Sequence, residues 1–145
     1  MKRPLLFLFI FCLQACHFHT IEIDDSIKNM DWKSEIEKNE GNARLCLFRE
    51  NNLFTARSAN YSVYLNNLTT NTLKKVAVLS NDDFVCMNRK EGLYRIIIPQ
   101  RGWDDVDAEI YLPSNQVRYV NLYTGVQGLV IRIENDDSNF KKVKN

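Results

Sequence analysis

The chain has 145 residues and a formal net charge of +1. That length suits one globular domain and leaves little room for two, and the near balance of charge excludes a strong polyanion-binding field, so no nucleic-acid partner is expected. Five glycines, three prolines and no biased tract or internal repeat exclude collagen-like, low-complexity and solenoid proteins.

The first residues read as an export signal. Lys2 and Arg3 form a charged start, and "LLFLFIFCL" is an unbroken apolar run from Leu5 to Leu13 that ends at the polar Gln14. Nine apolar residues at a rise of about 1.5 Å each cover only about 14 Å, roughly half of a bilayer's hydrocarbon core, so a spanning helix is not expected. The next residues, "LQAC", place Cys16 directly after the small Ala15, with Leu13 three positions before the cysteine. This resembles the lipobox of bacterial lipoproteins, departing from it at Gln14, where a small or β-branched residue is more usual. The resemblance implies cleavage between Ala15 and Cys16, diacylation of the Cys16 thiol and acylation of the new N-terminus. Two or three acyl chains, at about 0.8 kcal/mol per buried CH2, hold a protein on a membrane far longer than one chain does. By the sorting rule of Gram-negative lipoproteins, His17 in place of Asp after the cysteine implies the periplasmic side of the outer membrane.

The same stretch, "CLQACHFH", holds two of the four cysteines and both histidines, His17 and His19. A structural zinc site needs four donors, usually from two separated pairs. Here Cys12 would leave with the signal and Cys16 would become a thioether, so no metal site and no cofactor are expected, and the histidines read as solvated. Cys46 and Cys86 then remain, one pair in an oxidising compartment. Both lie in strand-like runs that adjacent strands or facing sheets could bring within bridging distance. A disulfide between them is expected, the alternative being two buried free thiols. From His17 to Asn42 the chain is mostly polar. It reads as a flexible spacer, with a short helix over about 31–39 as the alternative, since Trp32 and Ile36 are spaced i, i+4 and Gly41 could serve a C-terminal turn.

From Ala43 onward, short runs rich in Val, Ile, Leu, Tyr and Phe alternate with Asn, Asp, Ser, Gly and Pro clusters. They are "ARLCLF", "YSVYL", "KVAVL", "FVCM", "LYRIII", "AEIYL", "VRYVNLY" and "LVIRIE". In the last, Leu129, Ile131 and Ile133 share one face while Arg132 and Glu134 share the other, as a half-buried strand demands. "NDD", "PSN" and "TGVQG" are hairpin-length connectors, and no amphipathic helix long enough for a β-α-β crossover separates the strands. Seven or eight short antiparallel strands predict an all-β sandwich, with a small barrel as the alternative. The expected division is 1–15 signal peptide, 16–42 lipidated N-terminus and tether, 43–135 β-sandwich, and 136–145 a polar C-terminal tail whose last residues, "KKVKN", are frayed and solvated.

No catalytic constellation is visible. Both histidines precede the sandwich, no nucleophile elbow, Walker loop or HExxH is present, and no two carboxylates are singled out by spacing. The chain is therefore expected not to be an enzyme. "PQRGWDDVD", Pro99 to Asp107, is the most distinctive loop, because Arg101 and Trp103 are residue types enriched at binding hot spots and Asp104 and Asp105 flank them. It reads either as a partner-recognition loop or as an acidic turn whose Trp folds back over the core. A calcium site at Asp104, Asp105 and Asp107 is not expected, since the spacing does not match an EF-hand.

A lipobox, a polar tether, a strand with a cysteine ("RLCLF"), a second cysteine strand ("FVCM") and a following "GLYRIII" resemble small enterobacterial lipoproteins described as type VI secretion immunity periplasmic lipoproteins. "GLYRI" is also similar to a feature of transthyretin-like sandwich lipoproteins of unknown function, from which "PQRG" departs where those carry Pro-Gly followed by a histidine. The immunity resemblance implies a lipid-anchored module that binds and inhibits a periplasm-acting toxin. The alternative partner is a cell-envelope complex that the lipoprotein helps to build or support.

Overall fold

The computed structural model describes residues 23–51, 60–126 and 128–144. Eight strands follow two short helices: α1 (Asp25–Lys28), α2 (Trp32–Glu37), β1 (Ala43–Phe48), β2 (Tyr61–Asn67), β3 (Thr72–Leu79), β4 (Phe84–Arg89), β5 (Gly92–Ile98), β6 (Val106–Leu112), β7 (Val117–Gly125) and β8 (Gly128–Glu134), with a closing helix α3 (Ser138–Lys144). They form the expected sandwich. One sheet has the order β4-β1-β7-β8 and the other β3-β2-β5-β6. Alternate residues of both sheets meet in the middle, with Leu45, Leu47, Val120 and Leu122 on one side facing Val63, Leu65, Ile96 and Ile98 on the other.

One pair departs from the antiparallel expectation: β1 and β7 run parallel, in register from Arg44 opposite Val117 to Phe48 opposite Asn121. The chain crosses between the sheets several times, and β7 re-enters the first sheet from the end at which β1 begins. Alternation along a strand reports which face is buried and carries no information about the neighbour's direction.

The sandwich has two distinct ends. The start of β1, the β2–β3 turn, the β4–β5 turn and the β6–β7 turn gather at one, here the tether end. The β3–β4 turn, the β5–β6 loop and the β7–β8 turn gather at the other, the loop end, where β1 also finishes.

The segment expected to be a flexible spacer is packed from Ile23 onward. Ile23 and Ile27 sit with Tyr64, Leu73 and Ile97 on the outer face of the second sheet, and Lys75 Nζ donates to the Lys28 carbonyl at 3.1 Å. Asp31 caps α2 by accepting from Lys33 N at 3.1 Å. Ile36 then reaches the main core, so α2 covers the side where edge strands β3 and β4 would otherwise lie open. Gly41 serves a close approach: a Cβ there would lie 2.7 Å from the Arg89 carbonyl oxygen and 2.8 Å from Lys90 Cα.

The expected polar tail is likewise corrected. Helix α3 buries Phe140 against Phe48, Phe84 and Tyr119 on the outer face of the first sheet, at ring-centroid distances of 5.7, 5.3 and 5.1 Å. Phe140, with Val143 packed at the margin of the same cluster, supplies the apolar area that docks a two-turn helix whose other residues are polar.

Candidate functional site

The Cys46–Cys86 disulfide fixes the middle of the scaffold. The two residues are directly opposed across β1 and β4 and bonded over a sequence separation of 40. Cys46 is buried beneath α3, together with Phe48 and Phe140. Cys16, His17 and His19 lie outside the described residues.

At the loop end, Arg101, Trp103 and Asp104 are exposed, and Asp105 is half-buried. Ile98, at the end of β5, is fully buried, which anchors the start of the loop in the core. Gly102, with φ of +80°, takes the left-handed conformation of the turn, and Trp103 N donates to the Gln100 carbonyl at 3.3 Å. Trp103 projects outward and is 79% exposed. It is therefore no lid on the core. At the same end Val126 is fully exposed at the β7–β8 turn. Asp107 turns away from Asp104 and Asp105 toward Arg95, whose Nε lies 3.6 Å from its Oδ2. Among the described residues no group of three or more His, Cys, Asp or Glu could hold a metal ion.

The support beneath this end is polar and buried. Arg49, 1% exposed, lies over the Tyr61 ring at 4.2 Å and points Nη1 at the Leu79 carbonyl, 3.4 Å away. Burial pulls its guanidinium below the ordinary arginine value. The Tyr61 hydroxyl meets Thr124 Oγ1 at 3.1 Å, which joins the two sheets just below the loops.

The tether end holds features that the sequence reading did not single out. Arg89, 2% exposed, donates to three carbonyls: Glu35 O at 3.1 Å, Lys38 O at 3.4 Å and Asn88 O at 2.9 Å. Glu35, buried on α2, meets Lys74 Nζ at 3.0 Å and also accepts from Lys38. Burial pushes the Glu35 carboxyl up, but the hydrogen bonds from Lys38 and Lys74 outweigh it and hold the group below the ordinary carboxylate value. Burial likewise pulls Lys74 down, and its bonds to Glu35 and Glu40 reverse this and hold it above the ordinary lysine value. Between this network and the β2–β3 turn opens a cavity of about 350 Å³, floored by Leu65, Val76 and Tyr94. The sequence signal for this cluster is weak, because Glu35 and Arg89 sit in polar surroundings that read as solvated.

No family model, no curated protein and no solved structure matches this chain.

Proposed function

We propose that this chain is a lipid-anchored periplasmic lipoprotein and a non-enzymatic protein-binding module, an immunity protein that inhibits a periplasm-acting toxin. The observation that carries the reading is the loop end, where Trp103 stands 79% exposed on a turn held by a buried strand. An exposed Trp beside an Arg, on a loop that starts from a buried strand, is the composition of a binding hot spot. The lipid anchor rests on the lipobox alone. Ile23, already docked on the sandwich, is seven residues after Cys16, so an acylated Cys16 would keep the domain within about 25 Å of the bilayer surface.

The test is an affinity capture with the full chain against secreted and periplasmic proteins, followed by titration of the captured toxin. Trp103→Ala should weaken binding at least about tenfold while leaving the melting temperature unchanged. Capture of envelope components only, with a deletion strain whose envelope weakens in the absence of any toxin, would replace this reading by a structural or assembly role. Loss of palmitate labelling in Cys16→Ser, with labelling of the parent chain, tests the anchor separately.

A further inference from the structure

We propose that the cavity at the tether end is a binding site for a small molecule carrying a carboxylate on a short apolar body. Its volume, about 350 Å³, lies within the range of small-molecule sites, which are concave, mostly apolar and lined by a few convergent polar groups. Leu65, Val76 and Tyr94, each no more than 3% exposed, give it an apolar floor built on strands.

The charge on the walls selects the ligand. Lys74, Arg89 and Lys90 line the cavity against one carboxylate, that of Glu40, while Lys74 is also paired behind the wall with Glu35 at 3.0 Å, which leaves one positive charge in excess. Arg89 is fixed by its bonds to main-chain carbonyls, so its positive charge is held in place where water is largely excluded.

Glu40 shows what these cations accept. Its Oε1 lies 3.1 Å from Lys74 Nζ and its Oε2 3.9 Å from Arg89 Nη1. A carboxylate thus already stands between the two cations, supplied by the segment that links α2 to β1. Its side chain is 33% exposed, at the mouth rather than the floor, so it can swing toward solvent when another carboxylate enters. The ligand's anionic group takes the place between Lys74 and Arg89, and Lys90 at the exposed rim attracts it. The apolar body lies on Leu65 and Val76. Glu40 acts as an internal competitor for the place between Lys74 and Arg89, while Lys74 retains its contact with Glu35.

Nuclear magnetic resonance titration of the full chain, labelled with nitrogen-15, tests this with butyrate as probe, butanol as its uncharged counterpart and inorganic phosphate as an anion without an apolar body. Butyrate should give saturable shifts of the Thr70, Lys74, Lys90 and Tyr94 amides, and butanol and phosphate should not. Glu40→Gln should tighten butyrate binding by about fivefold, as expected on losing a competing ion pair. Lys90→Gln, at an exposed position, should weaken it by a similar factor with an unchanged melting temperature. Unsaturable butyrate shifts overturn the proposal. So do equal responses to butanol, which would make the cavity merely apolar, or to phosphate, which would place the anion at the rim without use of the floor. Weaker butyrate binding in Glu40→Gln would make Glu40 a ligand contact and overturn its role as competitor.

Discussion

Each end of the sandwich is built over a nearly fully buried arginine, and the two arginines hold different things. Arg89 donates to carbonyls of α2, of the segment after it and of β4, so it ties the N-terminal segment to the body of the domain. Arg49 lies over Tyr61 and points at the end of β3, on the side of the loops. At the tether end the buried charge organises a second layer of chain and leaves a cavity under it. At the loop end the buried charge stiffens a platform, and the residues above it, Trp103 and Val126, remain uncovered. Among the described residues, similar arginines thus underlie a closed end and an open end.

The largest expected effect is a test of that difference. Arg89→Ala leaves three carbonyls without their donor, each costing about 1–3 kcal/mol when it stays buried. A loss of roughly 3–5 kcal/mol in urea unfolding is expected, accompanied by faster hydrogen exchange of the α2 amides. Arg49→Ala removes, among its contacts, that ring and carbonyl partner and should cost at least about 2 kcal/mol, with α2 exchange unchanged. Equal acceleration of α2 in both variants would show that the two ends are one cooperative unit.

The disulfide sits between the ends and should serve both. Closing a loop over the 40-residue separation of Cys46 and Cys86 stabilises a domain by about 4 kcal/mol in the chain-entropy description. The Cys46→Ala/Cys86→Ala double variant should lose about that much, with the melting temperature of the parent chain falling toward the variant's on adding reductant. A variant as stable as the parent would place the stability of the sandwich in its core alone.

The sequence showed the platform more clearly than what covers it. All eight strands were legible because Leu, Ile and Val alternate with polar residues between turn-forming clusters, and the cysteine pairing followed from two cysteines left on strand-like runs. The unbroken apolar run "LCLF" in β1 carried a further signal, since a strand apolar on both faces is covered on both, and α3 provides the second cover through Phe140. That cover was hidden, because one Phe and one Val among Ser, Asn and Lys read as tail. The tether end was hidden for a related reason. Glu35 and Arg89 are charged, and their burial depends on partners far along the chain, Lys74 and the Glu35 carbonyl. At the loop end "PQRGWDDVD" was legible as a loop, but the direction of Trp103 was not, because residue type fixes neither outward projection nor folding back.

Acid should act first on the closed end. Glu35 is held below its ordinary value in the folded chain, so its contribution to stability is complete above the ordinary carboxylate value and is lost as pH falls through the folded one. Lys74 is held above its ordinary value, so its contribution is complete below that value and is lost as pH rises through the folded one. Stability measured against pH should fall on the acid side in the parent chain and fall less steeply in Glu35→Gln, with α2 exchange accelerating over the same acid range. An unchanged acid limb in Glu35→Gln would mean that the Lys38 and Lys74 bonds to this carboxylate contribute little.

The smallest effect expected on stability comes from the most exposed aromatic residue. Trp103 is 79% exposed, so Trp103→Ala removes almost no buried surface and should change the unfolding free energy by less than about 0.5 kcal/mol. Gly102→Ala, one residue earlier, places a Cβ at φ of +80° and should destabilise by about 1 kcal/mol or more, because that conformation strains an L side chain. If the loop is a preformed recognition element, partner binding should suffer in both variants while stability suffers only in the second. A stability loss in Trp103→Ala as large as that of Arg49→Ala would show that the ring spends its time folded onto the platform, and the loop end would then be closed as well.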